Sequence, residues 1–509
     1  MSTPTTTSEG SGEAPGTPER RVIIAGGGPT GLMLAHELGL AGVPAIVLER
    51  DTAIGENSHN LGVHPRAVEA FRQRGLLDDL GKEFEPWPRL HFSMLWLDVP
   101  RSGDDFTVLI EQRLQQEVLT RRSADLGVQV RRGHEVVGVA QDDAGVTVTV
   151  RGSDGAAYEL AGRYLVGADG GFSAVRELAG FAYEESPLSY YGIFGDVELP
   201  EGETATFVTD VNERGIFCIW PFQENVIRVM SIEFDARPDG AEVPVTLEEL
   251  TSSIRRVTDK EMKFHGLRWA HRYGGTTLHA EDYRNGNVFL VGDAAHRHFV
   301  HANHGHNTGI HDAVNLAWKL AADLSGRAPE GLLDSYSAER RPVGGRACGH
   351  GQAQLEIMQS MERSPGLRQL VGELIELDDA NRHFVTRVTN VRYPLTAAED
   401  AAEAHPLLGA RVPNELLDTE ATGLTTHPLH TARGVLFDLS GPGTTRGSAA
   451  TAAEPWADRV SVVTTDAPPG ADATALLVRP DGYVAWVGVG ADDTAGLTAA
   501  LTTWFGTPA

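Results

Sequence analysis

A glycine-rich turn between an apolar strand and a helix constrains this 509-residue chain most strongly. Residues 21–25 form a short apolar run, residues 29–42 have a helical pattern, and residues 44–49 form a second apolar run. A strand, a helix and a second strand make a β-α-β unit, so the pattern predicts an α/β fold built on a parallel sheet. The turn at residues 26–31 reads GGGPTG and fits the pattern G-x-G-x-x-G.

The glycines of this turn have physical roles in binding a dinucleotide. Gly26 permits the tight turn, Gly28 lets a pyrophosphate approach the backbone, and Gly31 lets the helix pack closely on the strand. Glu49 ends the next strand and is expected to accept hydrogen bonds from both ribose hydroxyls. Because its carboxylate disfavours a 2′-phosphate, the expected nucleotide is FAD or NAD rather than NADP. A tight turn without a ligand is the alternative.

Two further motifs follow buried strands. The first reads DGGFSAVR from Asp169, and its alternative interpretation is an ordinary Asp-Gly turn with Ser173 as a helix N-cap. The second begins with an apolar run at 288–291 and Gly292-Asp293, after which a loop leads to an amphipathic helix predicted from Asn307. A strand-end carboxylate and a loop feeding a helix N-terminus are typical of sites for a polar cofactor.

Composition limits the classes of partner. The net charge of −27 argues against nucleic acid and anionic membranes, because both require a positive surface. Two cysteines, Cys218 and Cys348, cannot form a disulfide framework. The chain contains no long apolar run and no secretory signal pattern, which predicts a cytoplasmic protein.

The three motifs, in this order, resemble those of the single-component FAD-dependent aromatic hydroxylases, the para-hydroxybenzoate hydroxylase-like flavoprotein monooxygenases. The closer likeness is to the branch that hydroxylates aromatic polyketides. Four further segments carry the resemblance, namely HPRAVEAF at 64–71, NTGIHDAVNLAWKL at 307–320, YSAERRP at 336–342 and LVRPDGYVAW at 477–486.

The resemblance implies an α/β protein with a Rossmann-like FAD-binding domain, an interleaved β-sheet substrate domain and a C-terminal thioredoxin-like domain. The last lacks a redox Cys pair, so its expected role is packing or association. The expected boundaries are 1–19 for a disordered tail, 20–186 and 281–391 for the FAD-binding domain, 187–280 with part of 85–110 for the substrate sheet, 392–413 for a linker and 414–509 for the thioredoxin-like domain.

The resemblance also implies a set of FAD contacts, and the residues themselves predict no metal site, because the histidine-rich loop lacks the carboxylates and cysteines that most sites have. It implies Gly26, Gly28 and Gly31 at the pyrophosphate, Glu49 and Arg50 at the adenosine end, Gln112 near the flavin, Asp169 and Gly170 in a groove shared with the donor NAD(P)H, Asp293 at the ribityl chain or pyrophosphate, and Gly305, His306 and Asn307 at the pyrimidine edge.

The loop after Asp293 differs from the usual family sequence, G-D-A-A-H-x-x-P-P-x-G-G-Q-G-x-N-T-G. The family has an arginine near His59-Asn60, which bears on the use of NAD(P)H. Six of the 19 histidines fall between residues 296 and 311. Compared with the family sequence of this loop, the chain has Phe299 and Val300 for the two prolines, Ala302 and Asn303 for the two glycines, and His304 for the glutamine. These replacements bear on the rigidity of the loop and on the activation of dioxygen.

Several roles are open for these histidines. His301, His304 and His306 are the candidate catalytic residues, as donors to a phenolic substrate or as general bases near neutral pH. Packing or solvation, a metal site at His296 and His298, and covalent attachment of the flavin are the alternatives.

The leading hypothesis is an FAD-dependent monooxygenase that oxygenates a polycyclic aromatic, polyketide-like metabolite through a hydroperoxide at flavin C4a. Its partners are a small aromatic substrate and dioxygen, and it is expected to be a monomer or homodimer. One alternative is a non-oxygenating cyclisation, isomerisation or elimination with the loop histidines as acid and base. Another is a non-catalytic binding protein.

Overall fold

The computed structural model describes most of the chain. His59, Asn60, Asn303 and residues 1–17 of the predicted tail lie outside the described residues. No helix in the described part of the chain is long and apolar enough to cross a membrane. The described ranges are 18–55, 62–81, 86–87, 89–102, 107–236, 244–302, 304–389, 391–395, 405–418, 426–441, 447–468, 472–489 and 493–508.

One six-stranded sheet, the motif sheet, carries all three motifs. Five strands are parallel and one edge strand is antiparallel. Because the carboxyl ends of parallel strands lie at one edge of a sheet, the three motif turns meet there. The spatial order is Arg284–Asn285, Val288–Leu290, Tyr164–Gly167, Val22–Ala25, Ala45–Glu49 and Gln129–Arg132.

A second six-stranded sheet, the antiparallel sheet, lies beside it. One face packs on the helix Leu247–Thr258, and the other is lined by apolar and aromatic side chains. It begins at residue 183, four residues before the predicted boundary of the substrate domain. Its spatial order is Val208–Asn212, Gly215–Gln223, Val226–Phe234, Tyr183–Glu198, Gly266–Ala280 and His296–Arg297.

The last strand of this sheet comes from the histidine-rich segment. His296–Arg297 pairs with Leu278 and His279. The prediction of an unbroken loop after Asp293 was therefore wrong at these residues, because a two-residue strand is too short to show an alternating pattern.

Smaller strands complete the N-terminal part. Glu135–Asp142, Gly145–Arg151 and Ala157–Gly162 form an antiparallel sheet. Three short strands and a hairpin lie between residues 62 and 109. The three strands are Gly62–Val63, Pro86–Trp87 and Thr107–Leu109, and the hairpin pairs Arg89–Phe92 with Leu95–Asp98.

Two of the predicted helices have other ends in the structure, and the first of them, predicted at 29–42, ends at Leu40. The helix after the histidine-rich segment begins at Gly305, two residues before the predicted start. The helices are Pro29–Leu40, Pro65–Gln73, Leu77–Leu80, Val99–Ser102, Gln112–Asp125, Ala174–Leu178, Leu247–Thr258, Gly305–Leu324, Asp334–Gln359, Pro365–Ile375, Asp378–Thr389, Ser448–Ala452 and Thr494–Phe505.

The C-terminal sheet, ordered Val460–Thr464, Gly434–Asp438, Ala475–Val478 and Val484–Gly488, packs under the final helix. A buried ion network ties it to the rest of the chain. Arg479 donates to both carboxylate oxygens of Glu339 at 2.7 and 2.8 Å and also to Asp481. Lys319 reaches Glu339 at 3.0 Å. Since all four side chains are buried, the network is an anchor between the two parts.

Candidate functional site

A cleft of about 970 Å³ opens at the carboxyl edge of the motif sheet and extends to the antiparallel sheet. Its walls bring together residues that lie far apart in the chain, from Ala25 to His306. Ten of the twelve predicted cofactor residues line it, namely Gly26, Gly28, Glu49, Arg50, Gln112, Asp169, Gly170, Asp293, Gly305 and His306.

The other two predicted cofactor residues lie behind the cleft wall. A methyl group on Gly31 would lie 2.1 Å from the Gly26 carbonyl oxygen, so this glycine serves the close packing of helix on strand. Asn307 is buried, accepts a hydrogen bond from the His64 backbone N–H at 2.7 Å and donates to the Gly62 carbonyl at 3.2 Å. Its amide therefore fixes the segment at 62–64 against the helix.

Two glycines of the turn at 26–31 have different surroundings, and one of them leaves room for a ligand to approach the backbone. Gly26 has a positive φ of 107°, and a methyl group there would lie 2.3 Å from the Ala168 carbonyl oxygen. A methyl group on Gly28 would instead meet no atom within 4 Å beyond its chain neighbours. Gly28 precedes the helix that begins at Pro29 and has no capping side chain. The turn therefore presents open space and a helix N-terminus to the cleft.

Glu49 and Gln116 hold this turn in shape. One carboxylate oxygen of Glu49 accepts from the Gly27 N–H at 2.6 Å, and the other accepts from the Asp51 N–H at 2.8 Å. The Gln116 side-chain amide donates to the Gly27 carbonyl at 3.0 Å. Sequence reasoning missed Gln116, although it follows Gln112 by four residues and so shares its helix face.

Asp169 organises its own loop. Its carboxylate accepts hydrogen bonds from the Ser173 hydroxyl and, at 3.0 Å, from the Val175 N–H. Ser173 caps the short helix by accepting from the Arg176 N–H at 3.0 Å, as its alternative interpretation predicted. Burial raises the pKa of Asp169 above its usual value. Arg176 also donates to the Ala294 carbonyl at 3.0 Å, which joins the second motif to the third.

A buried carboxylate that the sequence analysis did not single out supports the third motif. Asp312 accepts from the Gly292 N–H at 3.0 Å, from His296 Nε2 at 2.8 Å and from Arg340 Nε at 2.6 Å. Burial opposes its charge, but Arg340 and His296 outweigh burial and hold the pKa of this carboxyl below its usual value. The contact with Gly292 fixes the backbone next to Asp293.

The three candidate catalytic histidines lie in different surroundings. His306 lines the cleft, and its buried Nε2 has no hydrogen-bond partner among the described residues. His301 lies behind the wall, where its Nε2 is 2.7 Å from Met94 Sδ and its ring stacks on His91 at 4.7 Å. His304 Nε2 lies 2.8 Å from His350 Nδ1. Of the three, His306 is best placed for chemistry in the cleft, and all three catalytic roles stay predictions.

Burial keeps most of these imidazoles neutral. It lowers the pKa of His306 to about 4 and the pKa values of His301 and His304 well below 6.5. Within the described ranges, no three His, Cys, Asp or Glu side chains are arranged to hold a metal ion. Four histidines around the cleft wall, which we call the buried histidine group, have pKa values lowered by burial. The pKa is about 3 for His64 and His350 and about 4 for His91 and His306.

The antiparallel sheet supplies an aromatic wall to the cleft. Tyr190 and Tyr273 line it, and the hydroxyl of Tyr273 is buried without a partner among the described residues. Phe299 is fully buried and packs edge-on against Tyr190 at 5.1 Å between ring centroids. Val300 lines the cleft and is 49% exposed. Where the family has two prolines, this chain therefore has one core side chain and one cleft side chain.

The cleft fits FAD. The open space at Gly28 accommodates a pyrophosphate beside a helix N-terminus. At the other end, the helix from Gly305 begins without a side-chain cap. Two buried imidazole nitrogens beside it, Nε2 of His298 and Nε2 of His306, have no partner among the described residues and match the polar edge of a flavin.

Comparisons with known proteins agree with this geometry. The family model described as FAD binding domain matches residues 19–349, and the model described as aromatic-ring hydroxylase, C-terminal, matches residues 405–508. The 12-dehydrotetracycline 5-monooxygenase/anhydrotetracycline 6-monooxygenase of Streptomyces rimosus subsp. rimosus is 40% identical over 96% of this chain and 99% of its own length.

Two solved structures are similar along the whole chain. An anhydrotetracycline hydroxylase from Streptomyces rimosus has a TM-score of 0.85 and 39% identity, covering 96% of this chain and 100% of that one. A Diels-Alderase from the biosynthetic pathway of pyrroindomycins has a TM-score of 0.81 and 37% identity, with the same coverage. The chain belongs to the FAD-binding aromatic-ring hydroxylase family. It is an FAD-dependent monooxygenase of mixed α/β fold.

Proposed function

We propose that the protein oxygenates a polycyclic aromatic, polyketide-like metabolite with FAD, dioxygen and NAD(P)H. The observation that carries this proposal is the single cleft that joins the dinucleotide end, at Gly28 and Glu49, to the aromatic wall, at Tyr190 and Tyr273. A cleft of this kind holds a flavin and a flat apolar substrate side by side. The names of the tetracycline-modifying relatives support this substrate class.

Different parts of the cleft have different roles in the proposed reaction. When bound and reduced, FAD supplies the reaction with dioxygen and the electrophilic oxygen. The helix N-terminus at Gly305 places positive dipole charge toward the cleft and favours negative charge there. The aromatic wall excludes water and orients an apolar ring system. His306 is neutral at pH 7, because burial lowers its pKa to about 4, and its unpartnered Nε2 can form a hydrogen bond with the hydroxyl of a phenolic substrate.

We also propose the finer fold assignment. The parallel order of the motif sheet supports a Rossmann-like FAD-binding domain. The four-stranded C-terminal sheet, with one parallel and two antiparallel pairings, supports a thioredoxin-like domain. The domain boundaries, the cytoplasmic location and the monomeric or dimeric state stay predictions.

Anaerobic mixing of the purified holoenzyme with NADPH tests the oxygenase proposal. We expect the flavin absorbance to bleach, faster in the presence of a tetracyclic phenol. Admission of ¹⁸O₂ is then expected to place one ¹⁸O atom in the product and the second in water. A flavin that stays oxidised with every donor and substrate would refute the proposal.

A non-oxygenating reaction is the second candidate. The observation that favours it is the 37% identity to a Diels-Alderase, together with the replacement of both loop prolines by Phe299 and Val300. A Diels-Alder reaction needs no net electron transfer. Turnover of a polyene substrate at full rate without oxygen or NAD(P)H would support this candidate, and strict oxygen dependence would exclude it.

A further inference from the structure

His298 is an unexplained polar group on the cleft wall. Its Nδ1 lies 3.1 Å from the Phe299 carbonyl oxygen. Because a carbonyl only accepts hydrogen bonds, Nδ1 carries the hydrogen of the neutral ring and Nε2 carries the lone pair. This Nε2 is buried and has no partner among the described residues. Such an orphaned acceptor is costly unless a ligand or a proton satisfies it.

The orphaned nitrogen lies close to the start of the helix that begins at Gly305. A methyl group built on Gly305 would lie 2.8 Å from Asp293 Oδ1 and 3.6 Å from His298 Nε2. A carboxylate, an imidazole lone pair and a helix N-terminus therefore meet at one point of the cleft. This is the end of the cleft where the unpartnered nitrogens of His298 and His306 match the polar edge of a flavin.

Three other imidazoles lie around His298. His296 lies two residues before it and is paired with the Asp312 carboxylate, and His304 lies 6.3 Å away between ring centroids. His350 faces it from the helix Asp334–Gln359. Burial lowers the pKa values of His304 and His350, so both are neutral near pH 7.

Arg297 is directed away from His298. Its guanidinium donates to the Gly171 carbonyl at 3.0 Å and lies 4.8 Å over the Phe172 ring. Asp293 is thus the charge that favours a proton on His298.

Burial and Asp293 act on His298 in opposite directions. Burial lowers the pKa of His298 and dominates, while the Asp293 carboxylate raises it. With one negative charge nearby, the ring is neutral. A second negative charge within about 4–6 Å raises a pKa by roughly 1–3 units and so acts against burial, in the same direction as Asp293.

We propose that His298 takes up one proton when the bound flavin is reduced and releases it when the flavin is reoxidised. Two electrons and one proton convert FAD to its anionic reduced form, and one further proton from solvent converts His298 to imidazolium. The new negative charge of the flavin is thereby matched by a positive charge on the protein. This inference rests on the proposed use of FAD and adds a proton-storing residue to it.

The pH dependence of the flavin midpoint potential tests the proposal. For a two-electron couple, each proton taken up adds about 29.6 mV per pH unit. Between pH 7 and 8.5 we expect the wild-type holoenzyme to take up two protons per two electrons and His298→Gln to take up one. The matched control is His311→Gln, because His311 is a half-buried histidine of the same region that lines a separate small cavity with Arg340 and Tyr483 instead of the cleft. It is expected to keep the wild-type slope.

Two results would overturn the proposal. The first is a wild-type slope of one proton per two electrons. The second is an unchanged slope in His298→Gln, which would put the second proton on the flavin or on another residue. A holoenzyme with a normal flavin spectrum and either result refutes the role of His298 and leaves the oxygenase proposal intact. A purified protein that binds no FAD refutes both.

A direct measurement on the wild-type protein covers the case in which His298→Gln does not fold. In holoenzyme labelled with ¹⁵N-histidine, we expect one pair of ring nitrogens to move to imidazolium positions on reduction at pH 7. That signal is expected to persist in His306→Gln, which excludes the neighbouring imidazole. Reduction without any histidine signal moving, or loss of the moving signal in His306→Gln, would overturn the inference.

Discussion

The substitution Gly28→Ala separates cofactor binding from folding. A methyl group at this position meets no atom within 4 Å beyond its chain neighbours, and the φ of −73° suits alanine. We therefore expect the free energy of unfolding of the apoprotein to stay the same or rise by about 0.4–1 kcal/mol, since alanine narrows the unfolded ensemble. The methyl group occupies the space that a pyrophosphate needs beside the turn.

The expected loss of affinity follows from the hydrogen bonds that the methyl group blocks. A hydrogen bond between a backbone N–H and a charged phosphate contributes about 1.5–3 kcal/mol. Blocking two of them costs about 3–6 kcal/mol, which corresponds to a Kd for FAD that is about 10²- to 10⁴-fold higher. The displacement of FAD also moves the flavin away from the aromatic wall, so activity at limiting FAD is expected to fall by the same factor.

Fluorescence titration of apoprotein with FAD measures the effect. The matched control is Gly349→Ala, where a methyl group also meets open space but lies in the exposed part of the helix Asp334–Gln359. That variant is expected to gain about 0.8–1 kcal/mol of helix stability and to keep the wild-type Kd. Wild-type FAD affinity in Gly28→Ala would refute the assignment of this turn as the pyrophosphate site.

Three further predictions concern stability and affinity. The buried histidine group has folded pKa values below the unfolded value of 6.5, so its contribution to the free energy of unfolding is present above pH 6.5 and is lost as the pH falls toward 4. At about 1.36 kcal/mol per histidine and pH unit, the four histidines lower the free energy of unfolding by about 5 kcal/mol at pH 5.5. A thermal midpoint that stays the same from pH 7 to 5.5 would contradict this prediction. Arg479→Met leaves the carboxylates of Glu339 and Asp481 buried without their main partner, so we expect the free energy of unfolding to fall by about 3–5 kcal/mol. Chemical denaturation followed by tryptophan fluorescence measures this change. A fall of less than about 1 kcal/mol would show that the network does not anchor the C-terminal sheet. Glu49→Gln weakens the acceptor for Gly27 and the ribose, so a Kd for FAD about 10-fold higher is expected, and an unchanged Kd would exclude the ribose role.

Local patterns predicted the frame of the site because its parts are local in sequence. The turn at 26–31, the Asp-Gly turn at 169–170 and Asp293 each follow an apolar strand, and parallel strands bring their carboxyl ends to one edge.

Contacts that depend on tertiary packing could not be predicted in the same way. His304 bonds to His350, 46 residues away, and Asn307 bonds to His64, 243 residues away. No periodicity or spacing encodes such pairs. The same holds for Asp312, which appears in sequence as one acidic residue in an amphipathic helix, although its carboxylate accepts three hydrogen bonds at the base of the loop.

The short strand His296–Arg297 makes the cofactor loop part of the substrate wall. It pairs with the strand Gly266–Ala280, while Asp312 holds His296 at the base of the same loop. Tyr273 of the aromatic wall lies on the same strand, five residues before Leu278, which pairs with Arg297 next to His298. The aromatic wall and the segment at the flavin end of the cleft are therefore parts of one continuous sheet.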